Sequence, residues 1–151
     1  TYYEEWVNNG FIVIDGQRIS RDDYGDGQLV NDGDEITGSG AWFVKDGATA
    51  VYYCSWSEKL KQNTLIIGNS KTSRSAMVFR GTQGNFYLSD KASVVISGMD
   101  LTVESNTQPL FMLNDAYTCP LMIIDNCHIK CNGNAFFFSN RIVIILRCFI
   151  F

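Results

Sequence analysis

The chain has 151 residues, of which 46% are hydrophobic and 13% aromatic, and it carries a formal net charge of −4. This apolar content suffices for one folded domain and excludes a disordered chain. The acidic balance provides no broad positive field for a phosphate backbone, so we expect no nucleic acid among its partners.

The N-terminal residues predict a short helix followed by a hairpin. Glu4 and Glu5 lie in the first turn of a helix predicted over residues 2–7, where acidic side chains are favourable. Residues 11–19 predict a β-hairpin, because the Asp15–Gly16 pair suits a type I′ turn.

The rest of the chain contains short apolar segments, rich in β-forming residues, at intervals of roughly ten residues. They are residues 11–14, 41–44, 51–53, 65–67, 77–79, 86–88, 94–96, 110–113, 121–124, 135–138 and 142–146. The pattern predicts an all-β chain with an N-terminal cap over residues 1–30 and the main fold over residues 31–151. The apolar run at 142–146 is far shorter than the roughly 20 residues that span a bilayer.

An internal repeat favours a solenoid. Residues 95–101 align without gaps onto 123–129 at an offset of 28, and these onto 144–150 at an offset of 21. Residues 65–69 fit one unit earlier, at an offset of 30. A repeat of this length, with about three short strands, is one turn of a parallel β-helix. We therefore expect a short right-handed parallel β-helix of about five rungs.

Each repeat carries a residue at a predicted bend between two strands. Gly68, Gly98 and Asn126 occupy the bend, and Arg147 is a poor occupant. Glycine and asparagine accept a left-handed backbone most readily, so we expect that conformation at the bend.

The alignment also predicts which side chains stack on successive rungs. The inward ladders are Ile96, Ile124 and Ile145; Met99, Cys127 and Cys148; and Leu101, Ile129 and Ile150. The outward ladders are Ser97, Asp125 and Leu146; Asp100, His128 and Phe149; and Thr102 and Lys130.

Two segments resemble the pectate-lyase-like superfamily of right-handed parallel β-helices, which includes pectinesterases and polysaccharide lyases. Residues 30–36, VNDGDEI, resemble the segment that turns into the first rung, and residues 63–70, NTLIIGNS, resemble a rung of such domains. Secreted domains of polysaccharide-degrading gut bacteria look most similar. The resemblance implies a secreted or cell-surface protein whose partner is a polysaccharide or other glycan.

The catalytic patterns of these enzymes are missing from the sequence. We find no Gln-Asp dipeptide, no paired acidic rung and no Arg-x-Pro-x-x-Arg motif. We therefore expect a non-catalytic module associated with complex carbohydrate, since fold does not fix function. The alternatives are a polysaccharide lyase or carbohydrate esterase acting on an acidic glycan, and a structural stalk or adhesin.

Two groups of residues are candidates for chemistry. Asp100, His128 and Lys130 would share an outer face, where an acid/base pair or a plain cross-strand polar pair would form. Aromatic faces and bidentate arginines suit sugar rings and uronate carboxylates. The candidate sugar-binding residues are Trp42, Tyr52, Tyr53, Trp56, Arg74 and Arg80.

The acidic run over residues 22–35 raises the possibility of a calcium site, but it fails the EF-hand spacing, so we expect no cofactor and no metal.

Residues 141–151 are strongly apolar and lack a polar capping segment. An uncapped sheet edge pairs readily with another chain. We expect residues 141–151 to continue into further structure or to drive self-association.

Overall fold

The computed structural model describes part of the chain, and it gives side chains for a smaller part. Backbone is described for residues 1–53, 58–60, 62–69, 73–80, 86–88, 93–104, 111–113, 121–132, 137–139 and 145–150. Side chains are described for residues 1–53, 62–69, 73–80, 93–104 and 121–132.

The described residues form an all-β fold with two short helices near the N-terminus. The helices are α1 (Tyr2–Asn9) and α2 (Arg21–Tyr24). The strands are β1 (Phe11–Ile14), β2 (Gln17–Ser20), β3 (Gln28–Val30), β4 (Glu35–Ile36), β5 (Gly40–Val44), β6 (Thr49–Tyr53), β7 (Glu58–Leu60), β8 (Thr64–Gly68), β9 (Ser75–Arg80), β10 (Phe86–Leu88), β11 (Val94–Ser97), β12 (Met99–Val103), β13 (Phe111–Leu113), β14 (Met122–Cys131), β15 (Phe137–Ser139) and β16 (Ile145–Ile150). Each apolar segment of the sequence analysis overlaps one of these strands. Neither helix is long and apolar enough to cross a membrane.

Residues 1–24, which we call the cover, fold as a helix, a hairpin and a second helix. A capping box between Thr1 and Glu4 begins α1. The hairpin prediction is confirmed, because β1 and β2 pair antiparallel around Asp15 and Gly16, whose φ angles are +50° and +74°. Helix α2 was not predicted from the sequence. It is a single turn that begins at Arg21, and the side chain of its N-cap residue Ser20 accepts a hydrogen bond from the Asp22 amide.

A curled sheet of ten strands forms the main body. Its path is β3-β5-β8-β11-β14-β12-β9-β6-β4, and β16 pairs with β14. The pairings within it are all parallel, and β14 is long enough to join both halves of the path. We call β3, β5, β8 and β11 with the start of β14 the first arm. The second arm is β4, β6, β9 and β12 with the end of β14.

A separate parallel sheet has the order β15-β13-β10-β7. Strands of the first arm, the second arm and this sheet therefore recur in that order along the chain. Each strand pairs with its counterpart from the preceding set, so the arrangement is solenoid-like. The repeating arrangement begins with β3, which lies within residues 1–30, the region predicted as an N-terminal cap.

The inner faces of the two arms share one core. Trp42, Ile66 and Ile96 of the first arm pack in the same buried cluster as Phe79 and Leu101 of the second. Since buried apolar surface contributes about 25 cal/mol per Å² to folding, this interior cluster is a major source of stability.

The outer face of the first arm is also buried, because the cover packs on it. Trp6 of α1 is fully buried against Phe43, with ring centroids 5.5 Å apart, and the same cluster contains Leu65, Val95 and Ile123. Strands buried on both faces read as continuous apolar runs rather than alternating ones. The cover thus lies on a sheet face.

The predicted register is confirmed on most rungs. Ile66 pairs with Ile96, and Ile96 with Ile124. Asp100 pairs with His128 and Leu101 with Ile129, as the offset of 28 predicts. On the last rung, Cys127 pairs with Cys148, His128 with Phe149, and Ile129 with Ile150. These last three are the pairings predicted by the offset of 21.

One stretch of the last rung corrects the prediction. Ile123 pairs with Ile145, Ile124 with Leu146, and Asp125 with Arg147, each one residue away from the gapless alignment. The register shifts between Asp125 and Cys127, where Asn126 has a φ of +50°. Asn126 is therefore an extra residue in a β-bulge. The predicted pairings of Ile145 with Ile124 and of Leu146 with Asp125 are therefore wrong.

The bend prediction holds for Gly98 and Asn126, whose φ angles are +75° and +50°. It is wrong for Gly68, which is not among the residues with positive φ. Gly68 meets a different constraint: a Cβ at this position would lie 2.1 Å from the carbonyl oxygen of Gly98. Glycine is needed there for a close approach of two backbones.

The C-terminal prediction is tested only in part. Ile145–Ile150 forms the parallel strand β16 against β14, so its backbone extends the sheet as expected. The side chains of this strand, and residues 141–144 and 151 altogether, lie outside the described part of the chain. Self-association through residues 141–151 therefore stays a prediction.

Candidate functional site

The outer face of the second arm carries most of the candidate residues. Strand alternation directs Val78 and Arg80 of β9 to this face, together with Asp100 and Thr102 of β12 and His128 of β14. These side chains are partly exposed, whereas their strand neighbours are buried in the core. We define the polar face as Tyr53, Arg74, Arg80, Asp100, Glu104, His128 and Lys130.

Asp100 lies at the centre of one cluster on the polar face. Its Oδ1 accepts a 2.7 Å hydrogen bond from Arg74 Nε and lies 3.2 Å from His128 Nδ1. Arg74 also donates from Nη2 to the carbonyl oxygen of Asn126 at 2.8 Å. The bulge at Asn126 thus supplies an acceptor that fixes the guanidinium beside the acid and the imidazole.

Arg80 forms a second cluster with Glu104. Its Nε lies 3.1 Å from both carboxylate oxygens of Glu104, and its Nη2 lies 2.9 Å from Oε1. Hydrogen bonding by Glu104, and secondarily by Tyr53, raises the pKa of Arg80. Tyr53, which pairs in register with Arg80, is 39% exposed, so an aromatic ring stands beside this ion pair.

Lys130 lies between the two clusters along the register. It pairs with Thr102, two residues after Asp100 and two before Glu104, and it is exposed. The polar face therefore places Asp100, His128 and Lys130 on neighbouring strands, as the sequence analysis predicts. It also brings in Arg74 and Arg80, which were predicted as ligands for a uronate.

The aromatic residues that were predicted to contact sugar do not share one surface. Tyr52 is 2% exposed and packs between Trp42, at a ring distance of 6.1 Å, and Phe79, at 5.7 Å. Trp42 is 7% exposed and belongs to the same core. Of the four predicted aromatics, Tyr53 presents its ring to solvent, and Trp56 lies outside the described residues.

The acidic run of residues 22–35 has structural contacts. Asp32 accepts from the Thr49 amide at 2.8 Å, and Asp34 accepts from the Asn31 amide at 2.8 Å, so both carboxylates satisfy backbone donors at turns. Within the described ranges, no group of three or more His, Cys, Asp or Glu side chains converges on a point that a metal ion could occupy.

The polar face places hydrogen-bond donors and acceptors side by side. Asp100 orients both Arg74 and His128, which can serve ligand binding or proton transfer. Sequence reasoning missed the contact of Arg74 with Asp100, because the two residues are 26 positions apart. The signal was present in the repeat, since Ala76 pairs with Asp100 and Arg74 precedes Ala76 by two residues.

Comparison with known proteins gives no relative from which a function could be transferred. No family model, no curated protein and no solved structure matches the chain. A function must therefore be inferred from the chemistry of the polar face and of the surfaces around it.

Proposed function

We propose that the solenoid-like sheet is a right-handed parallel β-helix of about five rungs, of the pectate-lyase-like kind. The recurrence of three parallel strands per turn supports this arrangement. Right-handedness follows from the general rule that about 98% of crossovers between parallel strands of one sheet are right-handed.

We further propose that the chain is a non-catalytic secreted or cell-surface module that binds an acidic polysaccharide on the polar face. The observation that carries this proposal is the ordered pair of arginine clusters, Arg74 with Asp100 and Arg80 with Glu104, beside the exposed ring of Tyr53. Exposed ion pairs add little to folding stability, so stability alone is a weak reason for this arrangement.

The charges of the polar face suit an anionic ligand. Arg74, Arg80 and Lys130 outnumber Asp100 and Glu104, although the whole chain has a net charge of −4. This local excess of one positive charge favours an anionic ligand, in contrast to the negative charge of the chain as a whole. Guanidinium groups that ion pairs already hold in place also lose less conformational entropy on binding a carboxylate than mobile ones would.

The spacing of the polar face suits a polymer. Neighbouring strands lie about 4.8 Å apart, so side chains on β6, β9, β12 and β14 form a row across the strands. An extended glycan lying along this row would meet Tyr53 and Arg80 at one end and His128 and Lys130 at the other. Aromatic stacking and hydrogen bonds to hydroxyl groups would then act on successive sugar units.

The test is binding of soluble acidic polysaccharides, measured by affinity electrophoresis and calorimetry with polygalacturonate, alginate, chondroitin sulfate and heparin. At least one of them should bind, and Arg74→Gln with Arg80→Gln should weaken binding about tenfold or more. Binding should also fall with added salt, because exposed charges are screened.

Arg18→Gln is the control for each single change, Arg74→Gln or Arg80→Gln, since it removes one positive charge from the hairpin of the cover, where Arg18 stacks on Phe11 at 4.1 Å. It should leave binding unchanged. If none of the four acidic polysaccharides binds at millimolar sugar concentration, or if Arg18→Gln weakens binding as much as either single polar-face change, the proposal is wrong.

A second candidate function is a polysaccharide lyase or carbohydrate esterase acting on an acidic glycan. The observation in its favour is the 3.2 Å separation of His128 Nδ1 from Asp100 Oδ1, which suits a general base oriented by a carboxylate.

Catalysis would release unsaturated uronate or methanol from an acidic glycan. His128→Ala and Asp100→Asn should abolish this release, whereas Arg18→Gln should not. Absence of both products from pectin, alginate, chondroitin and heparin would reject the enzymatic function and leave the binding proposal intact.

A further inference from the structure

His128 is the single histidine of the chain, and it lies on the polar face beside two charged side chains. Its Nδ1 is 3.2 Å from Asp100 Oδ1, and the same oxygen accepts the 2.7 Å hydrogen bond from Arg74 Nε. The three side chains are between 33% and 48% exposed, so solvent reaches all of them. Because histidine is the side chain that changes charge between pH 5 and 8, the charge of this cluster depends on pH in that range.

The contact with Asp100 fixes which nitrogen of His128 carries a proton. An ionised carboxylate only accepts hydrogen bonds, so Nδ1 is the donor in the neutral ring as well as in the charged one. Protonation therefore takes place at Nε2, and the hydrogen bond to Asp100 is kept. The cluster can gain a positive charge while Arg74 stays in place, since the carbonyl oxygen of Asn126 also holds its Nη2 at 2.8 Å.

The surroundings of His128 on the outer face contain both signs of charge. Its register partner on β12 is Asp100, and its register partner on β16 is Phe149, an uncharged residue. Asp125, which pairs with Arg147 of β16, belongs to the first arm on the other side of the bulge. The charged or titratable side chains described around His128 on the second arm are Asp100 and Glu104 of β12, Arg80 of β9, Arg74 just before β9, Tyr53 of β6 and Lys130 of β14.

One added charge is large in relation to the charge of the polar face. Its three basic side chains and two carboxylates leave an excess of one positive charge while His128 is neutral. Protonation of His128 doubles that excess. Since the attraction between a charged patch and a polyanion grows with the charge of the patch, the protonated face should attract a polyanion more strongly than the neutral one.

We propose that the polar face binds acidic polysaccharide more tightly at mildly acidic pH, and that His128, oriented by Asp100, is the group that responds to pH. This inference rests on the proposed function, because it concerns regulation of the same site. The affinity rises as the pH falls through the titration of His128, since the imidazolium ion attracts the polyanion. By reciprocal linkage, bound polysaccharide favours the protonated ring.

The test is the dissociation constant of the full chain for heparin and polygalacturonate at about pH 5.5 and about pH 8, on either side of a histidine titration, at constant ionic strength. Affinity should be about two- to fivefold higher at the lower pH, the size expected for one exposed charge. His128→Gln retains a hydrogen-bonding side chain but cannot titrate, so its affinities at the two pH values should be equal.

Lys130→Gln is the matched control, because it removes a permanent positive charge two residues along the same strand. It should weaken binding at both pH values by the same factor and keep the ratio of the unchanged chain. The NMR signal of the single imidazole gives a second measurement. Its titration midpoint should move to higher pH when polysaccharide is added, as linkage requires.

The outcomes separate this inference from the function on which it rests. If polysaccharide binds equally at the two pH values, if His128→Gln keeps the pH dependence, or if polysaccharide leaves the imidazole midpoint unchanged, the inference is wrong and the binding function stands. If neither polysaccharide binds at either pH, both are rejected.

Discussion

Gly68 and Gly98 occupy equivalent places on neighbouring rungs but for different reasons. Gly98 adopts a φ of +75°, whereas Gly68 has no positive φ and lies directly against the backbone of Gly98. Side-chain size, and not backbone freedom, is the constraint at Gly68. Consequently, a substitution at Gly68 should be opposed by a steric clash, whereas one at a glycine of positive φ in open space should be opposed by backbone strain alone.

Gly68→Ala should lower the free energy of unfolding by about 3 kcal/mol, because the new Cβ would lie 2.1 Å from a backbone oxygen that cannot swing away. Gly16→Ala is the control, since it has a φ of +74° with no heavy atom within 4 Å and should lose about 1 kcal/mol. Urea unfolding measures both. Equal losses would show that the close approach of Gly68 to Gly98 is not a constraint.

Tyr2 gives a prediction about alkaline pH. Burial, followed by the charges of Glu5 and Asp125, raises the pKa of Tyr2 above its ordinary value of 10.0. As the pH rises, the phenol therefore ionises in the unfolded chain before it does in the folded one. The contribution of protonated Tyr2 to folding stability is fully present below pH 10 and is lost as the pH rises through the folded pKa. Tyr2→Phe should have equal stability at neutral pH and a smaller alkaline loss. Parallel pH curves for the two proteins would contradict this.

At the scale of elements, the cover is the least expected feature. The sequence predicts its helix and hairpin from local turn and capping signals, but not the surface on which it lies. That information was present in residues 41–44 and 65–67, whose uninterrupted apolar character indicates burial on both faces. Alternation would have indicated one exposed face.

Trp6→Ala should lower the free energy of unfolding by about 4 kcal/mol, because a fully buried indole that packs on Phe43 and hydrogen-bonds to Gly25 is removed. Binding of a hydrophobic dye should rise as the outer face of the first arm becomes exposed. Val7→Ala, one position along and 44% exposed, should change stability by less than about 0.5 kcal/mol. A small loss for Trp6→Ala would mean that the cover contributes little.

The repeat was the most informative pattern in the sequence. The register that it predicts for residues 123–125 is wrong for a definite reason. Gapless alignment of residues 123–129 with 144–150 kept isoleucine against isoleucine, so it contained no sign of an error. The extra residue at Asn126 moves only the half-rung before it. A one-residue shift between two apolar runs cannot be detected by hydrophobicity, whereas the polar face was predictable because Asp100 and His128 follow the bend.

The polar face and the loop of residues 24–28 differ in how far they could be predicted from the sequence. Asp100, His128 and Lys130 come together through repeat spacing alone. The loop has φ angles of +110° and +88° at Gly25 and Gly27. The carbonyl oxygen of Gly25 accepts a hydrogen bond from the indole nitrogen of Trp6. Contacts with Trp6, 19 residues away in the case of Gly25, determine that loop, and no local pattern reports them.

At the scale of the whole molecule, a solenoid-like fold should not have uniform stability, because each rung contacts mainly its neighbours. Amides of β8 and β11, which have paired strands on both sides and buried residues on both faces, should exchange with solvent most slowly. Those of β3 and β4, at the ends of the sheet path, should exchange fastest. Hydrogen-exchange mass spectrometry measures this. Equal protection throughout would indicate a single cooperative unit.

The burial of Trp6 over the first arm also limits how such a molecule can lengthen. The cover has a fixed footprint, and its cluster already includes residues from β5, β8, β11 and β14. Duplicating a turn between β8 and β11 would separate Leu65 from Val95 and leave new apolar surface that residues 1–24 cannot reach. Turns added after β14 would leave these contacts unchanged. We therefore expect related chains to differ in the number of turns that follow β14. The number of turns beneath the cover should be the same in all of them.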